Sequence, residues 1–119
     1  MSVPDFRDLT NEQFCYLTTT GRVTEKPHEI EIWFSIKGET LYMLSGGGDR
    51  SDWVKNLRRN PEVTVRIARQ TFEGHARVVE DPEEDELARR LLVGKYESSP
   101  GSLSNWRRRA LPVAVGLTA

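Results

Sequence analysis

Hydrophobic and polar residues alternate along much of this chain, and the alternation predicts strands. The clearest case is the segment 28–36, in which every second residue is apolar: Ile30, Ile32, Phe34 and Ile36. A period of two is typical of a strand with one buried face. Stretches that alternate in this way, or that are rich in β-branched and aromatic residues, are 13–20, 28–36, 40–44, 62–68, 71–80 and 111–118. We therefore predict about six strands.

Two segments between these strands have the signals of helices. The first, 52–59, ends before Pro61, because the residue that precedes a proline avoids the helical region. The second, 81–96, opens with Asp81 as the candidate N-cap, and Glu84 completes the pattern of a capping box. Both segments are therefore predicted to be helical.

A short third helix at 103–109 and an N-terminal segment at 1–12 complete the predicted order, β-β-β-α-β-β-α-α-β. Short turns separate most of the strands, so antiparallel pairing is expected. This order suits a mainly β (α+β) fold, a closed or partly closed barrel with two or three helices outside it. A chain of 119 residues is expected to form one domain, 1–119.

Composition and charge narrow the possible partners of this chain. The net charge is −1, from 17 Lys and Arg against 18 Asp and Glu, which argues against a surface that covers nucleic acid or anionic membrane. No apolar run approaches the roughly 18 residues that a membrane span requires. Cys15 is the only cysteine, so an internal disulfide is excluded and a reducing, cytoplasmic location is expected.

The glycine turn Ser45–Gly48 is the strongest candidate for binding chemistry. It follows a predicted strand and precedes the helix 52–59, for which Asp49 or Ser51 is the candidate N-cap. A glycine turn at a helix N-terminus can bring backbone N–H groups and the positive end of the helix dipole to a phosphate. Trp53, in the first turn of this helix, can pack on a flat ring. A plain connecting loop and a packing tryptophan are the alternatives.

Other candidates lie on the first hairpin and the strand that follows it. Arg22 is a good phosphate donor, although a solvated turn arginine is an equal interpretation. Glu29 and Glu31 share one face of the strand 28–36 and can act as acid–base groups or as an outward polar face. The histidines, His28 and His75, have no neighbouring residues in a metal-ligand spacing, so no metal site is predicted.

In chain order, these segments resemble the deazaflavin-dependent nitroreductase family, whose members are also described as reduced-coenzyme F-420 quinone reductases. The resemblance covers about residues 13–117. It is carried by Tyr16-Leu-Thr-Thr-Thr-Gly-Arg22, Lys26-Pro27, Trp33-Phe34, Ser45-Gly-Gly-Gly48, Trp53, Asn56-Leu57, Asn60-Pro-Glu-Val-Thr-Val65 and Arg109-Ala-Leu-Pro-Val113. The family implies a split β-barrel that is related to pyridoxamine-phosphate oxidases. It also implies hydride transfer from a reduced deazaflavin or flavin to an organic acceptor such as a quinone or a nitro compound.

The resemblance also implies roles for individual residues. Ser45, Gly46 and Gly47 would lie against the cofactor's ring and side chain, and our own hypothesis adds a hydrogen bond from the Ser45 region to the ring. The other cofactor-binding residues implied are Arg22 and His28 at the phosphate and tail, Trp33 at the ring, and Trp53 and Asn56 from the helix. Tyr96 would lie near the aromatic residues that shape the acceptor pocket, and our own hypothesis is that Tyr96 or solvent protonates the product.

Three positions depart from the family pattern. Better-known members often have basic residues where this chain has Val23, His28 and Gly46. Because charge-assisted contacts hold an anionic tail, FMN, which has a single terminal phosphate, becomes an alternative to coenzyme F-420. A non-catalytic barrel that carries or senses the cofactor is the alternative function. Related split barrels often pair, so a homodimer is an open expectation.

Overall fold

One antiparallel sheet carries the fold, in the described part of the chain, which comprises residue 9 and residues 11–96 and 110–118. Its strands are β1 Cys15–Thr20, β2 Pro27–Ile32, β3 Ser35–Lys37, β4 Thr40–Ser45, β5 Glu62–Ile67, β6 Gln70–Val78 and β7 Leu111–Thr118. The helices in this computed structural model are α1 Asp52–Arg59 and α2 Pro82–Tyr96. The predicted helix at 103–109 lies outside the described residues.

The segment 28–36, predicted as one strand, is divided between β2 and β3. The break occurs at Phe34, whose backbone N–H donates to the Tyr96 hydroxyl at 3.1 Å. The Phe34 carbonyl accepts from Lys95 Nζ at 2.8 Å. The end of α2 thus takes the hydrogen bonds that a neighbouring strand would otherwise make, and the sheet has seven strands instead of about six. The alternation itself was read correctly, because Phe34 and Ile36 are buried in the core.

The strand order explains how the sheet closes. The order is β2-β1-β5-β6-β7-β4-β3, so the two edge strands, β2 and β3, are consecutive in the chain. Only Trp33 and Phe34 separate them. The sheet must therefore curl until its two edges meet at this point, and they diverge away from it. The result is a barrel that is split along one side, as predicted.

The barrel has an interior core and a second core beneath α2. The interior cluster includes Leu17, Leu41 and Val65, and α1 closes one end of it with Val54 and Leu57. The second cluster lies between α2 and the sheet and comprises Tyr42, Leu44, Val79, Ala88, Leu92, Tyr96, Ala110 and Ala114. Both helices therefore contribute one buried face.

Helix α2 differs from the prediction in two details. The sequence predicts Leu87, Leu91 and Tyr96 along the apolar face of the helix, whereas its buried residues are Ala88, Leu92 and Tyr96. Tyr96 is thus confirmed, and Leu91 is partly buried against the same cluster. Asp81 caps the helix as predicted, accepting from the Glu84 N–H at 3.0 Å. The Glu84 carboxylate does not return to close the capping box. It binds Arg77 at 2.7 Å and accepts from the Tyr42 hydroxyl.

No helix among the described residues is long and apolar enough to cross a membrane.

Candidate functional site

A cleft of about 440 Å³ lies between the first hairpin and the first half of α1. The β1–β2 turn, Gly21–Lys26, forms one wall, and α1 forms the other. We call it the Arg22 cleft. The residues that line it are Gly21, Arg22, Val23, Thr24, His28, Glu29, Ile30, Asp52, Trp53 and Asn56. Four of the predicted cofactor-binding residues are therefore brought together here: Arg22, His28, Trp53 and Asn56.

Asn56 fixes the position of Arg22 in this cleft. Asn56 is 3% exposed, and its Nδ2 donates to Thr19 Oγ1 at 3.2 Å. Its Oδ1 accepts both from the Arg22 backbone N–H at 3.1 Å and from Arg22 Nη1 at 2.9 Å. Because Asn56 is held by the buried end of β1, the hairpin and the helix are joined at a defined distance. A guanidinium group is thus anchored beside the N-terminal half of α1.

Asp52 also contacts Arg22, from the first turn of α1. Arg22 Nη2 lies 3.2 Å from Asp52 Oδ1, and Nη1 lies 3.4 Å from the Asp52 backbone carbonyl. The Asp52 side chain is 84% exposed, whereas that of Arg22 is 33% exposed. The predicted phosphate donor is therefore already paired with a carboxylate of this chain.

His28 packs against the hairpin from the inner face of β2. Its Nε2 lies 3.5 Å from Thr24 Oγ1, and a Cβ atom at Gly21 would come within 2.7 Å of the same nitrogen. A side chain at Gly21 would displace the imidazole ring of His28 from its place over the turn. His28 occupies the mouth of the cleft at the position where the family resemblance placed a basic residue.

The glycine turn has a different geometry from the predicted phosphate loop. Ser45 is 1% exposed, and its Oγ donates to the Gly48 carbonyl at 2.9 Å and lies 2.9 Å from Ser51 Oγ. Only Gly48 has a positive φ, 63°. Ser51 is the N-cap of α1, one of the two predicted residues, but its side chain makes no capping bond. The turn is held by its own hydroxyls, so Ser45 shapes it.

Gly46 and Gly47 differ in how much space surrounds them. A Cβ atom at Gly46 would meet nothing within 4 Å, whereas a Cβ atom at Gly47 would lie 2.5 Å from Ser51 Oγ. Both glycines are exposed, and neither lines the Arg22 cleft. Gly46 therefore leaves room for the side chain that the family often has there, whereas a side chain at Gly47 would displace the Ser51 hydroxyl.

A second depression, of about 330 Å³, lies at the other end of β2 and is lined by Phe14, Glu31, Ile32, Trp33 and Leu44. The Trp33 ring forms part of its wall and stacks on the Tyr96 ring, with centroids 4.3 Å apart and planes 6° apart. We call Trp33, Tyr96 and the adjacent Lys95 the Trp33 stack. The predicted ring-lining residue, Trp33, thus lies outside the Arg22 cleft.

The Tyr96 hydroxyl is occupied by backbone groups. It donates to the Gln13 carbonyl at 2.6 Å and lies 3.0 Å from the Phe34 carbonyl, while it accepts from the Phe34 N–H. Tyr96 is 3% exposed, and burial raises the pKa of its phenol to about 12. A proton donor that reaches a substrate needs a free path and a pKa near the working pH. This geometry favours a positioning role for Tyr96 beneath Trp33.

Lys95 completes the stack. Its ammonium lies 3.7 Å from the centre of the Phe34 ring and donates to the carbonyls of Glu12 and Phe34, both at 2.8 Å. Burial lowers the pKa of Lys95 to about 8. The lysine therefore ties the chain before β1 to the break between β2 and β3. A sequence pattern gives no sign of this, because a lysine near a helix end is typical of a solvated residue.

The two glutamates of β2 are engaged on the outer face of the sheet. The Tyr16 hydroxyl donates to Glu31 Oε1 at 2.8 Å, and Arg66 Nη2 lies 3.7 Å from Glu29 Oε1. Arg66 also lies over the Tyr16 ring, 4.2 Å from its centre. Glu31 is therefore hydrogen-bonded and Glu29 is loosely paired with Arg66, although Glu29 also lines the Arg22 cleft. No cluster of three or more potential metal ligands occurs among the described residues.

Sequence reasoning missed Asp52, Thr19 and Lys95 in this region. Asp52 had a usable signal, because it lies in the same helical turn as Trp53 and one turn before Asn56. Thr19 had none, since a threonine in a run of three threonines is typical of any strand. The residues that line the Arg22 cleft combine a fixed arginine, an imidazole and an indole ring with the carboxylates of Asp52 and Glu29. The arginine and the indole fit an anionic, planar ligand, and the carboxylates oppose its charge.

Comparison with known proteins identifies the family. A quinone reductase from Mycobacterium tuberculosis is 30% identical over 105 residues, which cover 83% of this chain and 69% of the relative. A solved structure named F420 reductase superposes with a TM-score of 0.71 at 19% identity, covering 98% of this chain and 97% of the other. A conserved hypothetical protein of M. tuberculosis has a TM-score of 0.80 at 21% identity, covering 100% and 82% of the two chains.

These superpositions confirm the split-barrel fold that the family resemblance implied. The sequence pattern of one family matches residues 5–118, nearly the whole chain. Its members are oxidoreductases that use coenzyme F-420, which confirms the predicted class of activity and the first of the two predicted cofactors. The chain belongs to the F420H(2)-dependent quinone reductase family.

Proposed function

We propose that this chain reduces a quinone with coenzyme F-420 whose phosphate-bearing end occupies the Arg22 cleft. The observation that carries the proposal is the anchoring of the Arg22 guanidinium by the buried Asn56, beside Trp53. The bound cofactor supplies the hydride. The protein supplies binding, orientation of the ring and exclusion of water.

The charges and shape of the Arg22 cleft support binding of a phosphate there. Arginine offers paired N–H donors to phosphate oxygens, and the N-terminus of α1 adds a positive potential within its first turn. His28 lies at the same mouth. Trp53 is half-buried against the core, so one side of its indole ring remains available to a flat or aliphatic part of the cofactor.

The depression beside Trp33 is the better place for the cofactor ring and the quinone. Phe14, Ile32, Trp33 and Leu44 give it apolar walls beside the Glu31 carboxylate, and aromatic walls favour flat rings. Ile30 lines the Arg22 cleft, and Ile32 lines this depression, on the same face of β2. Two residues of a strand span about 7 Å. The two hollows therefore adjoin, and one long ligand can occupy both.

The two predicted catalytic residues have other tasks in this proposal. Ser45 maintains the glycine turn through Gly48 and Ser51, and Tyr96 holds Trp33 in place. Their catalytic roles remain predictions. Ser45→Ala and Tyr96→Phe test them: unchanged turnover at saturating cofactor rules out an obligatory proton or hydrogen bond from either hydroxyl.

Cofactor binding is tested by titrating the protein with reduced coenzyme F-420 and with FMN. Arg22→Gln should weaken binding of the phosphate-bearing ligand by about 10- to 100-fold, because a charge-assisted hydrogen bond is lost. Arg69→Gln, an exposed arginine at the β5–β6 turn, is the matched control and should leave affinity unchanged. Equal affinity in wild type and Arg22→Gln would refute the proposed site.

A quinone and a nitroaromatic compound are then offered to the loaded protein as acceptors. Oxidation of the reduced cofactor at a rate that depends on the acceptor is the expected result, and comparison of the two acceptors establishes which class is preferred. Cofactor binding without acceptor-dependent oxidation would instead support the alternative function, a carrier or sensor barrel. The loss of basic residues at Val23 and Gly46 is the observation that favours this alternative.

We further propose that the protein is a homodimer and that it does not bind nucleic acid. Ile30 and Ile32 are only half-buried on the edge strand β2, and Phe14 is 38% exposed beside them, so an apolar strip remains to be covered. The outer face of the same strand carries Glu29 and Glu31, which repel a phosphate backbone. Light scattering tests the dimer, and a titration with single-stranded oligonucleotide tests the second statement. The cytoplasmic location remains a prediction from the single cysteine.

A further inference from the structure

The Asp52 carboxylate occupies the position at which an anionic ligand would approach the Arg22 cleft. It lines the cleft, lies 3.2 Å from Arg22 Nη2 and belongs to the first turn of α1. The Arg22 guanidinium and the N-terminus of α1 are the two positive features of the site, and the Asp52 carboxylate interacts with both. Because the side chain is 84% exposed, it can swing into solvent without breaking the core.

We propose that Asp52 is an internal counter-ion that competes with the anionic group of the cofactor for Arg22, and that it thereby lowers the affinity of the cleft for highly charged ligands. The inference rests on the proposed function, since it takes the Arg22 cleft as the phosphate site. It assigns a specificity-determining role to a residue that neither the glycine turn nor the hairpin pattern indicated.

Asp52 is not required to hold Arg22 in place. Asn56 makes two hydrogen bonds to Arg22, one to the backbone N–H and one to Nη1, and Asn56 is itself fixed by the buried Thr19. The contact from Arg22 Nη1 to residue 52 also includes the backbone carbonyl, which a side-chain substitution leaves in place. Removing the carboxylate charge therefore leaves the guanidinium positioned and frees one edge of it.

The same charge opposes a ligand in two ways. It withdraws part of the guanidinium from the incoming phosphate, and it repels that phosphate at short range. It also compensates the positive N-terminal end of α1, where acidic residues are favoured. The cleft lining thus combines one arginine with two carboxylates, Asp52 and Glu29, of which Asp52 contacts the arginine. Val23 and Gly46, uncharged at positions where the family often has basic residues, act in the same direction.

The opposition should grow with the charge of the ligand. FMN has one terminal phosphate, whereas the tail of coenzyme F-420 carries further anionic groups. Asp52 therefore disfavours the long anionic tail more than the single phosphate, and it narrows the difference in affinity between the two cofactors. Because exposed charges are screened by salt, the effect should be largest at low ionic strength.

The test compares Asp52→Asn with Asp49→Asn by fluorescence titration of coenzyme F-420 and of FMN at low and at high salt. Both variants remove one negative charge, and Asp49 is exposed but does not line the cleft. Asp52→Asn should tighten binding of coenzyme F-420 by about 3- to 10-fold at low salt and tighten FMN binding less. Asp49→Asn should change either affinity less than about twofold.

Each other outcome is decisive. Weaker binding by Asp52→Asn means that the carboxylate positions Arg22 and overturns the competition. Equal tightening in both variants reduces the effect to net charge and also overturns the inference. If Arg22→Gln weakens binding but Asp52→Asn leaves it unchanged, the proposed function is supported and only the inference about Asp52 is refuted. If wild type and Asp52→Asn both fail to bind either cofactor, the proposed site is refuted and the inference with it.

Discussion

The Arg22 cleft and the Trp33 stack contain the same kinds of groups, a cation next to aromatic rings, yet they are built in opposite ways. In the cleft, Arg22 meets an exposed carboxylate and a single buried amide. In the stack, Lys95 and Tyr96 are bonded to backbone carbonyls around the break between β2 and β3. One group of contacts can be exchanged for those of a ligand, and the other cannot be lost without opening the barrel.

The two sites, at opposite ends of β2, therefore have different roles: the contacts of the cleft suit ligand binding, and those of the stack stabilise the fold. Contacts to an exposed side chain contribute little to stability, so a ligand displaces them at low cost. Hydrogen bonds that satisfy a buried backbone group are costly to remove. We therefore expect substitutions in the stack to change stability strongly and substitutions in the cleft to change affinity.

The largest expected effect is on the stack. Tyr96→Ala should lower the free energy of unfolding by about 3–5 kcal/mol, since a buried ring is lost and a cavity remains. Tyr96→Phe should cost about 1–3 kcal/mol, because the Phe34 N–H loses its acceptor. Urea denaturation measures both values. Tyr16→Phe, which removes an exposed hydroxyl from the same fold, is the control and should cost less than about 0.5 kcal/mol. A Tyr96→Phe protein that is as stable as wild type but has no turnover would contradict the structural role of Tyr96 and support a catalytic one.

The next effect is at Asn56, which is 3% exposed, as is Tyr96 in the stack. Asn56→Ala leaves Thr19 and the Arg22 N–H without their partner and should cost about 1–3 kcal/mol of stability. It should also weaken cofactor binding by about 10-fold, since Arg22 is no longer held. Asn60→Ala, at an exposed cap that accepts only from the Glu62 N–H, is the control. A loss of stability without a loss of affinity would separate the anchor from the site.

Alkaline pH should change the free energy of unfolding through two groups, the Cys15 thiol and the Lys95 ammonium. Burial raises the pKa of Cys15 from 9.0 to about 12, so the folded state retains a proton that the unfolded chain loses. The stability contributed by the protonated thiol is present below pH 9 and falls as the pH rises towards 12. Lys95 acts with the opposite sign: its pKa is lowered from 10.5 to about 8, so the cost of burying its charge is relieved between these values.

The Cys15→Ala variant separates the contribution of the thiol to the pH dependence of stability from that of Lys95. The free energy of unfolding of wild type minus that of Cys15→Ala should be constant up to about pH 9 and should then decrease. Urea denaturation at pH 8, 9, 10 and 10.5 measures the difference. A difference that stays constant over this range would mean that the thiol titrates alike in the folded and unfolded chains.

Much of the fold could be predicted because each strand has a strong local pattern. The alternation in β5 and β7 and the proline after α1 gave element bounds within two residues. The break after Ile32 could not be found in this way, because residues 28–36 alternate without interruption. The break is caused by Tyr96 and Lys95, more than sixty residues away along the chain, which take the backbone groups of Phe34.

The site could be predicted only in part, for a similar reason. Arg22, His28, Trp53 and Asn56 occur in short motifs, and they converge because the first hairpin packs on α1. Ser45 and Tyr96 occur in motifs as well, but their hydroxyls are satisfied within the fold. A motif shows which residue types lie near a ligand. It does not show whether a polar group is already paired, and that depends on the neighbours that folding supplies.

The smallest expected effect is at Gly46, where a cation can be added near the ligand site without disturbing the contacts of the Trp33 stack. A side chain there would meet nothing within 4 Å, so Gly46→Lys should change stability by less than about 1 kcal/mol. If the turn faces the anionic tail, the lysine should tighten coenzyme F-420 binding by about 3- to 10-fold at low salt. Gln70→Lys adds the same charge at an exposed position of β6 and should have little effect. Equal affinities for Gly46→Lys and wild type would mean that the ligand contacts the hairpin side of the cleft and not the glycine turn. Arg22 would then be the residue that binds the anionic group of the ligand.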